Sequence, residues 1–408
     1  MNPLYVGIDV SSKSNVVYLM LPNGDKHSNF ALKNSHVGSS QLVKRILSAM
    51  TSHSLDTVLI GLEATSVYGD HLVYFLREGA TLAPFNRKIH VLNPKQVNKF
   101  KESYNDLPKN DYVDSFVIAD CLRFGRINKE VYIGDYRYKA LQNLTHARCY
   151  AVCNLIKEKQ RFMNVLFKKY STMTQEKVFS DTFSTTALAV YEEFESAEAL
   201  ANMDLQDLTD FIMEKGKDRF PDPDSVARAI QKAARSSYRL PKTVNDSVNQ
   251  VLSISITSMK ALESQIKEFD KAIAAQMELL PNVLISIPGI DPVFSAGIMA
   301  EIGDINRFGN HAQLAKHAGL AWRQHQSGGF EAQTTRLINS GNRFLKYYLR
   351  EAAFSLVRCD KEHNDFYHLK YKEVNRYQHK RALALTARKF VRLVFVLLKD
   401  NHLYRPAK

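Results

Sequence analysis

The sequence predicts an α/β domain followed by α-helical structure. Residues 1–130 read as a mixed-sheet domain, 131–280 as a helical, coiled-coil-like region, and 281–408 as a mainly helical C-terminal domain. Three observations lead there. Strand-length apolar runs separated by turn residues fill the first third, and helical periodicity fills the middle. The end of the chain is strongly basic yet still rich in aliphatic and aromatic residues, as a folded, charge-decorated surface would be. The length of 408 residues, 45% of them hydrophobic, suffices for two or three cores at roughly 100–200 residues per domain.

The elements follow in order. LYVGIDV is a β-rich run, SSKSN a turn, VVYLML a second strand, and PNGD a turn before a third, Ser28–Leu32. A helix fits Ser39–Met50, followed by a strand from Thr57 to Leu62 ending at Glu63. Another helix fits His71–Arg77 and stops at Gly79. The strand Ile89–Leu92 ends at Asn93–Pro94. A polar, Lys-rich stretch runs through Lys109, and Asp111 opens a helix to about Phe124.

In the middle, Leu141, Leu144, Val152, Leu155, Phe162 and Leu166 give a long amphipathic pattern. Shorter helical patterns occupy Glu192–Lys242, around the loop Phe220-Pro-Asp-Pro-Asp. Leu252, Met259, Ile266 and Ile273 then recur every seven residues, with Leu262 and Phe269 between them. Such a seam either packs inside its own chain or joins a second copy. The C-terminal region begins LISIPGIDPVFSAGIMAEIGDINRF, which reads as a helix–hairpin–helix unit or as an ordinary αα turn. GLAWRQHQSGG, LINSGNRFLKYYLREAAF and a basic helix, Lys380–Lys399, complete the chain.

Charge narrows the partners. Lys and Arg number 55 against 42 acids, for a net charge of +13 and a pI near 9.3. Residues 331–408 alone hold 17 Lys/Arg and 7 Asp/Glu, so most of the surplus lies in the last fifth. A polyanion, nucleic acid above all, is the expected partner. The four cysteines make no CxxC pair and no disulfide framework, and the i,i+4 pair Cys149 and Cys153 reads as buried. The chain opens directly into a strand pattern rather than a signal peptide. Its late apolar run Val391–Leu398 is far below the ~20 residues that span a bilayer. A cytoplasmic protein of the prokaryotic cytosol or nucleoid, without a membrane partner, is the expectation.

The acids carry the chemistry. Asp9 sits within the apolar strand GIDVSS, where a carboxylate is costly unless paired or bound to a cation. Glu63 repeats the theme in LIGLEATSVYG. Asp111 and Asp114 lie three residues apart, within about 60° of one another on a helix. Singly, Asp111 is a plausible N-cap and Asp114 a first-turn dipole partner. Together, four hard oxygen donors suit Mg2+ or Mn2+. A strand Asp, a strand Glu and a helical Asp-x-x-Asp in that order match the RNase H-like fold of RuvC-type nucleases.

The order GID, LEAT…YG, NDxxD, IPGI…AEIGDI, AGL…QSG and SGN resembles the DEDD-type insertion-sequence transposases of the IS110 family. The resemblance covers about residues 4–170 and 280–400, whereas 175–245 match no motif. It implies a RuvC-like N-terminal domain joined by a coiled coil to a C-terminal transposase domain. The metal-binding tetrad would be Asp9, Glu63, Asp111 and Asp114, and the nucleophile Ser327 of the QSG motif. It further implies a recombinase guided by a structured noncoding (bridge) RNA that pairs with donor and target DNA, with the serine linked covalently to a DNA end. A dimer or tetramer, with the carboxylates of one subunit meeting Ser327 of another, belongs to the same implication. Ser115 stands where a small alanine is common, and Ala321 near a position where many relatives carry proline; neither removes a reacting group.

Beside the resemblance, Gly328 and Gly329 would let backbone approach DNA closely, and Arg323 and Arg336 suit phosphate contacts with His325 nearby. Arg343 joins them as a candidate nucleic-acid contact. Lys95, Lys99, Lys101 and Lys109, interleaved with Phe100 and Tyr104, suit backbone contact and base stacking, or are simply an exposed linker. Asp120 reads as structural. Two alternatives stand beside the recombinase: a RuvC-type metal-dependent nuclease that uses water, and a non-catalytic nucleic-acid-binding protein. An actin-like sugar kinase also opens with GID-type strands, but no second glycine-rich phosphate loop follows.

Overall fold

A computed structural model gives the fold. It describes residues 2–64, 67–125, 135–217, 219–323, 326–327, 330–331, 336–338 and 340–406, with backbone alone at 326–327 and 330–331. The chain divides into two compact units, Met1–Ile133 and Gly134–Lys408.

The first unit is built on β1 (Pro3–Val10), β2 (Ser14–Met20), β3 (Lys26–Lys33), α1 (His36–Ser52), β4 (Thr57–Glu63), α2 (Asp70–Glu78), β5 (Asn86–Leu92), α3 (Pro94–Lys101) and α4 (Asp111–Arg123). The sheet order is β3-β2-β1-β4-β5, with β1 to β3 antiparallel and β4 and β5 parallel to β1. This is the mixed sheet that the strand and turn signals predicted, in the RNase H-like order that the acid pattern matched. Strand alternation sends Leu4, Val6, Ile8, Val58, Ile60 and Leu62 to one face, where they bury against Leu42, Ile46 and Met50 of α1 and Leu72 and Leu76 of α2.

The other face receives α4. It approaches closely because two paired strand positions, Gly7 and Gly61, carry no side chain. A Cβ at Gly7 would lie 2.0 Å from the Ser115 carbonyl oxygen and 2.5 Å from the Ala119 nitrogen. A Cβ at Gly61 would lie 2.8 Å from Leu122 Cδ1. Ser115 is fully buried at this contact, so the position tolerates only a small side chain.

Two local readings change. The stretch after Pro94 is not simply polar linker: Asn93 accepts a hydrogen bond from the Lys95 amide, Pro94 takes the first turn, and α3 follows. Asp111 is not the N-cap of α4, because the Asn110 side chain accepts from the Val113 amide at 2.9 Å. Asp111 therefore keeps its carboxylate for other work.

The second unit begins with α5 (Tyr136–Lys169), then α6 (Ser171–Gln175), α7 (Thr185–Glu193), α8 (Ala197–Asn202), α9 (Leu205–Gly216), α10 (Pro223–Ser236) and α11 (Lys242–Met277). The long helices α5 and α11 pack antiparallel. Leu141 near the start of α5 shares a core with Ile273 and Met277 at the end of α11. Phe162 and Leu166 near the end of α5 share another with Leu252, Ile256 and Met259. Arg148–Asp270 and Lys159–Glu263 ion pairs run between them. The heptad seam of α11 thus finds its partner inside the same chain. Helices α6 to α10 complete the second of these cores, which accounts for the segment without motifs.

Beyond α11 come α12 (Pro292–Ile302), α13 (His311–His317), the two-residue strands β6 (Gln326–Ser327) and β7 (Phe330–Glu331), α14 (Arg343–Cys359), α15 (Lys361–Lys372) and α16 (Gln378–Asp400). Only a single 3₁₀ turn, Leu284–Ser286, precedes the Pro-Gly hairpin, and α12 is buried from Ser295 to Ile302. Cys149 is buried, but its i+4 neighbour Cys153 is exposed. Among the described residues no helix is long and apolar enough to cross a membrane.

Candidate active site

The sheet delivers two acids to one place. Asp9 and Glu63 each follow the paired residues Ile8 and Leu62 on adjacent parallel strands, and both point to the α4 face. Because α4 lies directly on Gly7, its first turn is held at the same end. Asp9, Asp111 and Asp114 each offer a ligand oxygen, and these oxygens all lie within 4.8 Å of one another. Glu63 stands beside this trio and feels the charges of Asp9 and Asp114.

Crowding like charges raises proton affinity. Burial, then Asp111 and Asp114, push the Asp9 carboxyl above its ordinary value, against the Val10 backbone amide and the Lys101 ammonium. Burial, then Asp9 and Asp114, push Glu63 up likewise, and Lys101 again opposes. The Lys101 ammonium sits 2.6 Å from Asp114 Oδ1. By contrast, Lys95 and Lys99 on the same helix are exposed. Phe100 packs against the core formed by Leu92, Val97, Val117 and Ile118. The Tyr104 hydroxyl binds Asp120, which also pairs with Arg123, so Asp120 is structural.

In the second unit, Ser327 lies at the tip of a two-stranded ribbon. The Ser327 backbone pairs with Phe330 and Gln326 with Glu331. Nearer the base, the Arg323 amide donates to the Arg336 carbonyl at 2.9 Å and the Ile338 amide to Ala321 at 2.9 Å, around the Trp322–Leu337 bridge. Arg323 and Arg336 are both exposed on one rung. His325, Gly328 and Gly329 lie outside the described residues, as does the Ser327 side chain.

The ribbon springs from a tight junction. Gly319 (φ +71°) and Gly341 (φ +128°) meet so closely that a Cβ on Gly341 would lie 2.5 Å from the Gly319 nitrogen. Asn342 caps α14 through the Phe344 and Leu345 amides, both at 3.0 Å, and donates its side-chain amide to Glu301. Glu301 is 3% exposed and also accepts from Gln142 at 3.1 Å and pairs with His146 Nε2 at 2.5 Å. His146 stacks on Phe344 with centroids 3.5 Å apart. Arg343 is exposed, hydrogen-bonds the Tyr150 hydroxyl, and lies over the Phe344 ring at 4.7 Å.

Comparison with known proteins places this arrangement. Residues 6–170 match a family model described as a DEDD transposase of IS110 type. Residues 282–368 match a second, described as Transposase IS116/IS110/IS902 family. Between them these models cover well over half of the chain, at both ends and in the expected order. The chain belongs to the IS110 family of transposases.

Relatives agree. The transposase is 26% identical over 339 residues to an uncharacterized 44.8 kDa protein of insertion element IS116 from Streptomyces clavuligerus, covering 80% of each chain. It is 24% identical over 333 residues to an uncharacterized 42 kDa protein of insertion element IS900 from Mycobacterium paratuberculosis, covering 80% of this chain and 81% of that one. A probable family 20 transposase of Pseudomonas aeruginosa is 26% identical over 151 residues, 36% of this chain and 44% of its own. Among solved structures, T. thermophilus RuvC in complex with a Holliday junction substrate aligns at 12% identity and a TM-score of 0.24, over 31% of this chain and 97% of that chain.

Membership of a transposase family makes DNA the substrate and DNA cutting and rejoining the general chemistry. The donor set fits a divalent cation: three carboxylates from a strand and a helix converge, all hard oxygen ligands, with Glu63 adjacent. Sequence reasoning passed over the Glu301 network. Its signal was present, since Glu301 is a lone acid in the apolar run SAGIMAEI, the same cue that marked Asp9.

Proposed function

We propose that this transposase is a DNA recombinase of its insertion sequence, using the carboxylates Asp9, Glu63, Asp111 and Asp114 with Mg2+ or Mn2+ and Ser327 as nucleophile. The observation that supports this most is the meeting of Asp9, Asp111 and Asp114, with ligand oxygens within 4.8 Å, in a chain whose family cuts and rejoins DNA. When bound, the cation polarises the scissile phosphate and neutralises charge that builds on its oxygens. Asp9 from the strand, with Asp111 and Asp114 from the helix, would hold it, and the backbone contact at Gly7 sets how close these two elements lie.

In the serine step the Ser327 hydroxyl oxygen bonds to phosphorus as the phosphorus–oxygen bond to the other DNA end breaks. The serine proton passes to a basic oxygen, and the departing DNA oxygen takes up a proton to leave as a hydroxyl. The phosphoserine ester conserves the bond for rejoining, when the hydroxyl of a new end attacks and frees the serine. A ribbon tip with flanking exposed Arg323 and Arg336 suits such an approach to a phosphate backbone. Arg343, Lys95 and Lys99 add exposed positive charge for nucleic acid. A structured noncoding RNA that pairs with donor and target DNA is the proposed guide, and a dimer or tetramer the proposed working assembly.

The test is to copurify and sequence the bound RNA, then supply it with matching donor and target DNA. Exchange that requires both Ser327 and Asp9 supports the proposal. Free nicked product with intact Ser327→Ala activity favours a nuclease using water, and exchange indifferent to Asp9→Asn removes the metal site from the reaction.

A further inference from the structure

The Lys101 ammonium reaches the carboxylate cluster at Asp114, one of its three converging members. It is delivered there by secondary structure. Asn93 and Pro94 start α3, Val97 and Phe100 fasten the helix against the apolar side of α4, and Lys101 is its last residue. The Nζ atom lies 2.6 Å from Asp114 Oδ1, and the Lys101 side chain is 21% exposed. Asp114 is one of the three residues whose oxygens converge within 4.8 Å. The charge of Lys101 reaches Asp9 and Glu63 as well. Lys95 and Lys99, on the same helix, face solvent.

Three or four carboxylates held this closely repel one another, and one ammonium offsets part of that repulsion. An ammonium has no acceptor and cannot share an oxygen with a divalent ion at close range without like-charge repulsion. We propose that Lys101 is a built-in counter-ion of the carboxylate site, holding Asp114 while no divalent ion is bound and being displaced when the ion enters. This rests on the carboxylates being the ligands of the ion. Lys101 is thereby a positioning residue: it ties the end of α3 to the first turn of α4 and offsets the charge beside Asp9 in the ion-free protein, and it weakens ion binding by competing for Asp114. That competition would restrict full charge neutralisation to conditions in which the ion is well supplied.

The experiment is a Mn2+ titration of the full-length protein, read by electron paramagnetic resonance of free Mn2+, for the parent, Lys101→Met, Lys101→Arg and Asp114→Asn. Lys101→Met is expected to bind Mn2+ about tenfold more tightly, about 1.4 kcal/mol, with a lower melting temperature before Mn2+ is added. Lys101→Arg, which keeps the charge, is expected to stay within about threefold of the parent. Unchanged or weaker binding by folded Lys101→Met overturns the proposal. Binding that is indifferent to Asp114→Asn overturns instead the assignment of the carboxylates as ligands.

A second measurement needs no variant. Amine acetylation of the parent, mapped by peptide mass spectrometry, is expected to rise several-fold at Lys101 on adding saturating Mg2+, with Lys95 and Lys99 unchanged. Equal labelling of Lys101 with and without Mg2+ overturns the proposal even if Lys101→Met does not fold.

Discussion

Replacing Gly7 by alanine tests how the fold builds the site. The added Cβ would lie 2.0 Å from the Ser115 carbonyl oxygen and 2.5 Å from the Ala119 nitrogen, both backbone atoms of α4. No rotamer relieves such a contact, so α4 must move outward by about an ångström or more before the distances become tolerable. Overpacking of this kind costs about 1–3 kcal/mol. The displaced helix carries Asp111 and Asp114 with it, while Asp9 stays on β1, so the separation of the donors changes by a similar distance. Misplacement of about 1 Å can cost about 100-fold in rate. Gly61 supplies the graded comparison, because its Cβ would meet side-chain rather than backbone atoms: Leu122 Cδ1 at 2.8 Å, Ile118 Cγ2 at 3.1 Å and Leu122 Cγ at 3.2 Å. Gly61→Ala should fall near the low end of that range, about 1 kcal/mol, and lose less activity than Gly7→Ala. Urea denaturation, Mn2+ affinity and strand transfer read the two variants side by side. A Gly7→Ala protein with the stability and activity of the parent, or a Gly61→Ala protein more damaged than Gly7→Ala, refutes the close-packing account.

Two further perturbations separate the units. In the ion-free protein Asp9 and Glu63 have folded-state pKa values above the ordinary 3.8 and 4.5, so the folded chain binds protons more tightly than the unfolded chain. Stability contributed by these groups is therefore greatest at low pH and falls as pH rises from about 4 through the raised values. Asp9→Asn should raise the melting temperature of the ion-free protein above that window while weakening Mn2+ binding; a lowered melting temperature there contradicts the electrostatic reading. In the second unit, Glu301→Ala leaves Gln142, His146 and Asn342 without their shared acceptor. A loss of about 3 kcal/mol is expected by chemical denaturation, with Glu301→Gln milder; a loss under about 1 kcal/mol means the network does not hold the ribbon base.

Much of this architecture was legible in the residues. Alternating Leu4, Val6, Ile8 and Val10 fixed β1 and its buried face, which made Asp9 conspicuous as a charge on the opposite one. Three-residue spacing on a helix was enough to pair Asp111 with Asp114. What the sequence hid was tertiary. The small size of Gly7 matters only because α4 lands on it, and that landing is what brings a helix start to a strand end. Helix α3 was missed because eight residues with three lysines show little apolar periodicity; its Asn93-Pro94 start signal was read as the end of a strand. The seam of α11 was visible, but periodicity does not say whether α5 or a second chain covers it. Glu301 escaped because Gln142, which donates to it from α5, lies 159 positions away in sequence.

We propose that the carboxylate site and Ser327 serve one DNA strand-exchange reaction. The direct test is to run that reaction with end-labelled DNA and the copurified RNA, stop it in denaturant, digest the protein, and locate the labelled peptide by mass spectrometry. A DNA end linked to the peptide carrying Ser327 is expected, absent from Ser327→Ala and strongly reduced in Asp9→Asn. A DNA end attached to a different residue, or efficient exchange by Ser327→Ala with no protein-linked DNA, would contradict it.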